Sequence, residues 1–295
     1  MLTLVAPPDA GAFAVNLREV FASVGARGKE SHKLDAGDGA ATDVILEADD
    51  LLAVRAALQA PLADQRLDWC LQPLAGRKKR LLIADMDSTI INVECIDELA
   101  DFAGLKAQVS AITERAMRGD LDFESALRQR VAMLKGLPVT DLQRVYDRRI
   151  QLNPGARTLV RTMAANGARC VLVSGGFTFF TSRVAQAALF QAHRGNSLGE
   201  ADGVLTGTVG EPILGRAAKL EALKDEAAAR QLPLSATLAV GDGANDLAMI
   251  EVAGLGVAYR AKPIVAAQAD ARLDHTDLTT LLYFQGYSAE AFVTD

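Results

Sequence analysis

From residue 80 onward, short apolar runs each end in a polar or glycine-rich turn. They are RLLIAD (80–85), ARCVLVSGG (168–176), TLAVGDG (237–243) and LGVAY (255–259), and helical stretches such as ARTLVRTMAANG and AAKLEALKDEAAARQ lie between them. Strands that alternate with helices in this way form a parallel sheet with helices on both faces. Ligands bind beyond the carboxyl ends of such strands, so the polar residues at those ends are the candidate site.

The first 75 residues have a different order of elements, which predicts a separate small domain. We interpret LTLVA, DVILEA (43–48) and RLDWCLQ (66–72) as strands and AFAVNLREVFASVG and DLLAVRAALQ as helices, with a poorly marked strand around 29–36. The order β-α-β-β-α-β is that of a ferredoxin-like α+β fold. PLAGRKKR (73–80) then predicts a linker, and we interpret its basic run as a solvated junction between domains.

Residues 94–150 interrupt the alternation of strands and helices. ECIDELADFAG, SAITERAMRG, DFESALRQRVAMLKG and TDLQRVYDRR all have a helical pattern, so the segment predicts a helical cap above the strand ends. The expected division is a small domain at 1–75, an α/β core at 76–93 and 151–295, and the cap at 94–150. VLTGTV (204–209) predicts a small hairpin, whereas the loop QAHRGNSLGEADG (191–203) has no pattern to which we assign a function.

Composition and charge exclude several classes of protein. Half of the 295 residues are hydrophobic and 23% are charged, which is typical of a globular protein, and a net charge of −6 argues against nucleic-acid binding. The three cysteines are scattered and form no CxxC pair, which suits a reducing compartment. The three histidines form no pair with metal-binding spacing. No basic segment precedes the apolar amino terminus, and no apolar run reaches the ~20 residues that span a bilayer. We therefore expect a cytoplasmic protein without a membrane partner.

Asp85 and Asp87 stand two residues apart where the first apolar run ends. Side chains at this spacing in an extended chain point the same way, so both carboxylates can face one cavity. Either residue alone is commonly part of a structural turn, but two adjacent carboxylates repel each other unless a cation or a shared proton lies between them. Mg²⁺ prefers oxygen ligands, and Asp242 in LAVGDGAND supplies a third carboxylate at another strand end.

A phosphate ester would give these groups separate roles. One carboxylate attacks phosphorus and forms an aspartyl phosphate, while the other protonates the leaving oxygen and then deprotonates water. SGGF (174–177) follows another strand and offers a hydroxyl and backbone N–H groups to phosphate oxygens, and Lys219 supplies a fixed positive charge. Taken alone, SGGF would be interpreted as an ordinary loop and Lys219 as a lysine that faces solvent. In this order, together with the carboxylates, they predict phosphoryl transfer.

The ordered motifs carry a resemblance to a known family. DMDST at 85–89, SGGF at 174–177, Lys219 and GDGAND at 241–246 resemble the motifs of phosphatases of the haloacid-dehalogenase superfamily. DMDSTIINVECIDELADFAG, together with ERAMRGDLDFESALRQRV, is similar to the phosphoserine phosphatase branch of that superfamily. The similarity extends over roughly residues 80–285, and it implies Mg²⁺-dependent hydrolysis of O-phospho-L-serine to serine and phosphate, the last step of serine biosynthesis.

The resemblance implies roles for the catalytic and metal-binding residues. Asp85 would be the nucleophile and Asp87 the general acid and base. Mg²⁺ would be bound by the carboxylates of Asp85 and Asp242 and by the backbone carbonyl of Asp87. Asp246 would orient metal-bound water without binding the metal directly.

The resemblance also implies substrate-binding residues. Phosphate would be held by Ser174, Gly175 and Lys219, with Asn245 nearby. In the cap, Glu94 would bind the substrate ammonium and Arg130 its carboxylate, with Met117 and Phe123 as the apolar wall. These charges complement phosphoserine, and a guanidinium can bind a carboxylate through two hydrogen bonds. The plainer alternatives are a surface ion pair for Glu94 and Arg130 and packing within the cap for Met117 and Phe123.

Other readings stay open at this point. The amino-terminal domain is similar to the small ACT-type domains that precede some of these phosphatases, which implies either a serine ligand there or a dimerisation module without a ligand. The enzyme could act on another small phosphate ester or transfer phosphate to an alcohol. An amino-acid-binding regulatory protein with a vestigial phosphatase is the alternative of another class, and the intact aspartates and lysine argue against it. No GxxxxGK[ST] loop of a P-loop kinase is present.

Overall fold

The structure is a computed structural model that describes residues 1–10, 15–35, 40–117 and 121–294, without the side chains of residues 40, 116 and 117. The strands among these residues are β1 (Leu2–Ala6), β2 (Arg27–Lys33), β3 (Ala40–Glu47), β4 (Asp68–Leu71), β5 (Leu81–Ala84), β6 (Arg169–Phe177), β7 (Ala192–Asn196), β8 (Leu198–Ala201), β9 (Val204–Val209), β10 (Thr237–Gly241), β11 (Leu255–Tyr259) and β12 (Ala271–Leu273). The α-helices are α1 (Leu17–Ser23), α2 (Leu51–Ala63), α3 (Cys95–Phe102), α4 (Lys106–Met117), α5 (Phe123–Met133), α6 (Val139–Arg149), α7 (Ala156–Ala165), α8 (Thr178–Ala188), α9 (Arg216–Ala229), α10 (Leu247–Val252), α11 (Pro263–Ala266) and α12 (Thr280–Phe284).

The amino-terminal strands form an antiparallel sheet in the order β2-β3-β1-β4, with α1 and α2 packed on one face. This confirms the predicted β-α-β-β-α-β order. Every residue of β2 is exposed, and this edge strand is poorly marked in sequence because neither of its faces is buried. Helix α1 begins at Leu17, after the N-cap Asn16. Residues 12–14 of the longer predicted helix lie outside the described residues.

The basic run that follows β4 is only half solvated, which corrects the sequence interpretation: Lys78 and Arg80 are exposed. Arg77 and Lys79 are buried. The Arg77 guanidinium lies 2.6 Å from the Asp43 carboxylate, and Lys79 Nζ donates to the backbone oxygens of Gly76, Ser235 and Gly254. A buried cation needs such partners to offset its lost hydration. The basic residues therefore attach the amino-terminal sheet to the core.

Strand β4 carries a second attachment between the two sheets. The buried Asp68 carboxylate accepts hydrogen bonds from the backbone N–H groups of Asp274, His275 and Thr276 and from the Thr276 hydroxyl. These donors directly follow β12, the edge strand of the core sheet, and β4 packs beside that strand. Four hydrogen bonds satisfy a buried carboxylate that would otherwise be costly.

The core sheet has the order β12-β11-β10-β5-β6-β7, and all its paired strands are parallel. Every residue of β5, β10 and β11 is buried, as expected for central strands with helices on both faces. One hydrophobic cluster lies on each face of the sheet. The carboxyl ends of β5, β6 and β10 consequently lie side by side. This confirms the predicted α/β fold class.

The prediction of a loop at residues 191–203 is wrong for most of that segment. Residues 192–196 form β7, an edge strand of the core sheet, and residues 198–201 form β8, which pairs with β9 in the predicted hairpin. Both strands are short, partly exposed and polar, so they lack the alternation by which strands are recognised. The hairpin reaches the cap, where α5 packs against β9.

The segment of residues 94–150, called the cap here, contains α3, α4, α5 and α6, in agreement with its helical pattern. It joins the core through a short bridge between Ile91 and Leu152. Asn153 supports this connection, because its side-chain amide donates to the backbone oxygens of Thr89 and Ile91. None of the helices in the described part of the chain is both long and apolar enough to cross a bilayer.

Candidate active site

Asp85 and Asp87 lie where β5 ends and the chain makes one wide helical turn, residues Met86–Ile90. Asp85 caps that turn, accepting a hydrogen bond from the Met86 N–H. Within the turn Asp87 keeps an extended backbone and Ser88 has a left-handed one, with φ of 54°. This local unwinding turns both carboxylates towards the ends of the neighbouring strands, as the spacing of the two aspartates predicts.

Lys219 links two buried carboxylates. Its Nζ lies 2.7 Å from Asp85 Oδ1 and 2.5 Å from Asp246 Oδ1, and all three side chains are at most 7% exposed. Burial alone would lower the pKa of Lys219, but Asp246 and Asp85 outweigh that effect and hold it above its ordinary value. The lysine is therefore a permanent positive charge, brought to the site by the first turn of α9.

Asp87 is fixed from two sides. The Cys95 N–H donates to Asp87 Oδ1 at 3.0 Å, and the Ser174 hydroxyl donates to Oδ2 at 3.2 Å. Desolvation by burial and then the charge of Glu94 raise the pKa of Asp87 to about 7. A carboxyl group with this pKa can donate and accept a proton near neutral pH, which is what a general acid and base requires.

A metal ion fits the carboxylates around Asp242. Oxygens of Asp85, Asp242 and Asp246 lie within 4.8 Å of one another. Three carboxylates share the single positive charge of Lys219, and desolvation and then the charge of Asp246 raise the pKa of Asp242 to about 6. Thr89 donates to Asp242 Oδ1 at 3.1 Å and orients it. A hard divalent cation would relieve the repulsion, and the donors are the oxygens that Mg²⁺ prefers.

Asp246 differs from the other two carboxylates in its hydrogen bonds. Its Oδ1 accepts from Lys219, and its Oδ2 accepts from the Gly243 N–H. Both oxygens therefore already have a protein partner, which suits a supporting position better than a direct metal ligand. Asn245 lies half-buried in the same turn, between β10 and α10.

The irregular carboxyl end of β6 brings Ser174, Gly175 and Gly176 beside Asp87. The Ser174 hydroxyl accepts a hydrogen bond from the Gly176 N–H, which shapes the turn. A Cβ atom at Gly176 would lie 2.9 Å from Asp87 Oδ2, so only glycine fits there. The close approach of backbone and carboxylate explains the pair of glycines in SGGF.

Asn196, at the end of β7, is a site residue that the sequence analysis missed. Its amide donates to the backbone oxygens of Gly175 and Leu214 and accepts from the Leu214 N–H. It thereby ties the carboxyl end of β6 to the segment that leads into α9 and Lys219. The only sequence signal is its place after a strand, and the strand itself was not recognised.

We expect Asn196→Ala to weaken phosphate binding. Three backbone groups would lose their hydrogen-bond partner, and each one that stays buried and unpaired should lower the free energy of unfolding by about 1–3 kcal/mol. KM should rise more than kcat falls, and the free energy of unfolding should decrease. Steady-state kinetics and urea denaturation measure both. Asn166→Ala is the matched control, because the Asn166 amide donates only to the Thr162 oxygen at the end of α7. Equal kinetics in the two variants would contradict the assignment.

Three of the four predicted cap residues can be placed. The Phe123 ring lies over the carboxyl end of β6, where a Cβ atom at Gly175 would come within 3.0 Å of it. Glu94 accepts a hydrogen bond from the Ser88 hydroxyl. Arg130 donates to the Ala126 oxygen of its own helix; burial lowers its pKa, and Asp97 and then Glu94 oppose that effect. The structure thus brings Glu94, Phe123 and Arg130 towards the site. The side chain of Met117 lies outside the described residues.

Comparison with known proteins agrees with this geometry. The family model for haloacid dehalogenase-like hydrolases matches residues 82–251, more than half of the chain. The chain belongs to the haloacid dehalogenase-like hydrolase family. The resemblance inferred from the motifs is thereby confirmed, and so is the class of enzyme, a hydrolase.

Relatives within the family are phosphoserine phosphatases. Phosphoserine phosphatase SerB2 of Mycobacterium tuberculosis is 45% identical over 232 residues, which are 78% of this chain and 56% of that protein. The matched part is thus little more than half of this relative's length. A solved HAD family hydrolase from Salmonella enterica subsp. enterica serovar Typhi has a TM-score of 0.86 at 30% identity, covering 97% of this chain and 98% of that one. A structure described as a phospho-aspartyl intermediate analogue of phosphoserine phosphatase has a TM-score of 0.65 at 39% identity, covering 70% and 99%.

Proposed function

We propose that this hydrolase cleaves O-phospho-L-serine into L-serine and phosphate through an aspartyl phosphate, with Mg²⁺ bound. The observation that carries the proposal is the group formed by Asp85 and Asp87, just after β5, and the buried Lys219 in the first turn of α9. The names of the relatives support the substrate. In a cell, this reaction would complete a phosphorylated route to serine.

The side chains divide the reaction into two steps. Asp85 attacks phosphorus, the bond from phosphorus to the serine oxygen breaks, and Asp87 gives its proton to that oxygen. Asp87 then takes a proton from water, which attacks phosphorus and releases phosphate and the Asp85 carboxylate. Lys219, the Ser174 hydroxyl and the N–H groups at the carboxyl end of β6 stabilise negative charge on the phosphoryl oxygens in both steps.

The Mg²⁺ would be held by Asp85, Asp242 and the backbone oxygen of Asp87, with Asp246 behind them. When bound, it supplies positive charge that neutralises the phosphoryl group and the crowded carboxylates. Because it binds only the folded chain, Mg²⁺ should also raise the melting temperature. At a concentration 100 times its Kd the gain is about 2.7 kcal/mol, or roughly 5 °C for a chain of this size.

Thermal unfolding with and without Mg²⁺ measures this shift without an activity assay. Asp242→Asn should reduce it strongly, because a neutral amide is a weaker ligand than a carboxylate. Asp141→Asn is the control, since Asp141 is also buried, pairs with Arg144 on α6 and belongs to the cap. An equal shift in Asp242→Asn and in the unmodified protein would refute this metal site.

The substrate assay compares phosphate release from O-phospho-L-serine, sugar phosphates and p-nitrophenyl phosphate, each with Mg²⁺ and with EDTA. We expect Mg²⁺-dependent release with phosphoserine as the preferred ester. Preference for a sugar phosphate would refute phosphoserine as the substrate, but it would not contradict the proposed aspartyl-phosphate mechanism. Release that needs a second alcohol in the buffer would indicate phosphotransfer.

Arg130→Gln tests the proposed carboxylate contact. KM for phosphoserine should rise about 10- to 100-fold, as expected for the loss of a charge-assisted hydrogen bond. KM for p-nitrophenyl phosphate should stay unchanged, because that ester has no carboxylate. Arg128→Gln is the matched control on the same helix, where the exposed Arg128 pairs with Glu124 and Glu211. A parallel rise of KM for both esters in Arg130→Gln would mean that Arg130 serves the cap structure alone.

We keep the division into an ACT-like domain at 1–75, a core at 76–93 and 151–295 and a cap at 94–150 as part of the proposal. The continuous sheet and helices of each region support it. The cap would act as a lid that excludes water during the first step. Unpaired buried cysteines support a cytoplasmic location. A serine ligand in the first domain and a homodimer stay predictions.

A further inference from the structure

A cavity lined by arginines opens at the end of the core sheet opposite the catalytic residues. Its volume is about 540 Å³, and its lining includes Arg80, Arg169, Arg230, Glu226 and Leu232. Arg80 directly precedes β5 and Arg169 begins β6, so both lie at the amino ends of strands whose other ends lead to Asp85 and Ser174. The mechanism described above uses none of these groups.

Among the described residues that line this arginine cavity, three arginines accompany a single acidic residue. Arg169 lies 3.4 Å from Glu226, which Arg194 also contacts from outside the cavity. Arg80 and Arg230 have no acidic partner in the part of the chain that the structure describes. Three arginines, of which Arg80 and Arg230 are exposed, therefore line the cavity beside one carboxylate that is already shared. A concentrated positive lining is notable in a chain whose net charge is −6.

We propose that the arginine cavity binds a small molecule carrying a di- or polyphosphate group, at a site separate from the catalytic centre. Arginine binds phosphate oxygens in pairs through its planar fork of N–H donors, and several guanidinium groups around one cavity favour a multiply charged anion. The volume lies within the range of whole ligand sites, which is larger than a single phosphate ion needs. The cavity is local and concave, so it fits a small anion and not a nucleic-acid backbone.

The location links this site to the catalytic groups through rigid elements. Helix α9 carries Lys219 in its first turn and ends at the cavity beside Arg230. Strands β5 and β6 likewise join the cavity to the turns that hold Asp85 and Ser174. A bound anion would therefore contact the far ends of all three elements that supply phosphate-binding groups.

Isothermal titration of the full chain with pyrophosphate tests the proposal. Pyrophosphate can also enter the catalytic centre, so four proteins are compared. They are the unmodified chain, the single variant Lys219→Met, a double variant with Arg80→Gln and Arg230→Gln, and a control double variant with Arg18→Gln and Arg27→Gln. The last pair removes the same charge from exposed positions in the amino-terminal domain. We expect pyrophosphate to bind the cavity of Lys219→Met and of the control variant with the affinity of the unmodified chain. In the variant that carries both Arg80→Gln and Arg230→Gln, the affinity of the cavity for pyrophosphate should fall at least tenfold. The latter variant should keep its phosphatase activity.

Two results would overturn the proposal. Binding that disappears in Lys219→Met and persists in Arg80→Gln with Arg230→Gln would place the only pyrophosphate site at the catalytic centre. Binding of citrate at the cavity without binding of pyrophosphate would replace the phosphate class by a carboxylate class. Both results are independent of whether phosphoserine is the substrate.

Discussion

Asp85→Asn is expected to abolish phosphate release from phosphoserine, with kcat lower by about 10³- to 10⁶-fold. An amide has no negative oxygen with which to attack phosphorus, so the first step has no nucleophile. The substitution changes the volume of the side chain very little, and Lys219 keeps its contact with Asp246. We therefore expect substrate binding to change far less than turnover.

A covalent readout separates loss of the nucleophile from general damage. The unmodified enzyme, quenched in acid during turnover of labelled phosphoserine, should retain label that hydroxylamine removes, as an acyl phosphate does. Asp85→Asn should retain none. Asp43→Asn is the matched control, because Asp43 is also buried and ion-paired, in its case with Arg77, but lies in the amino-terminal sheet. It should lose stability and keep turnover per folded molecule.

The outcomes are distinct. Residual activity within tenfold of the unmodified enzyme would make Asp87 or water the attacking group and would remove Asp85 from the centre of the mechanism. Label that persists in Asp85→Asn would place the covalent phosphate on another residue. Neither outcome would change the conclusions about the fold or about the family to which the chain belongs.

The candidate site was largely predictable because its residues follow strands. In a parallel sheet the carboxyl ends of adjacent strands meet at one edge, so Asp85, Ser174 and Asp242 could be brought together without coordinates. Lys219 could be named as a candidate for the fixed positive charge, but a lysine in the first turn of a helix has no distinctive pattern, and the resemblance gave it the more definite role. The deep burial of its amine between two carboxylates is a property of the folded chain alone.

The missed features share a different physical cause. Asn196 and the polar strand β7 lie at a sheet edge, where one face is partly solvated and the alternation of apolar and polar residues disappears. Arg77 and Lys79 were assigned to solvent because cations usually are exposed. Their burial depends on partners far along the chain, such as Asp43 and the oxygen of Gly254, which no local pattern reveals.

Lys219→Met should both destabilise the protein and stop turnover. Methionine fills a similar volume but leaves Asp85 and Asp246 buried without their cation, and removing one partner of a buried pair costs about 3–5 kcal/mol. Loss of a fixed positive charge beside the phosphoryl group should lower kcat by about 10²- to 10³-fold. Without the lysine the two carboxylates would also share a proton more readily, so lower pH should restore part of the stability.

Lys79→Met provides the comparison that isolates the electrostatic role. Lys79 is buried to a similar extent, but its amine donates only to backbone oxygens at the domain junction. Its removal should cost stability without affecting kcat and without the recovery at lower pH, because no carboxylate pair is left behind. Urea denaturation at pH 5.5 and 7.5, together with kcat of the folded fraction, separates the two lysines. If Lys219→Met behaved like Lys79→Met in both measurements, Lys219 would be a packing residue, and the positive charge at the phosphoryl group would have to come from the metal alone.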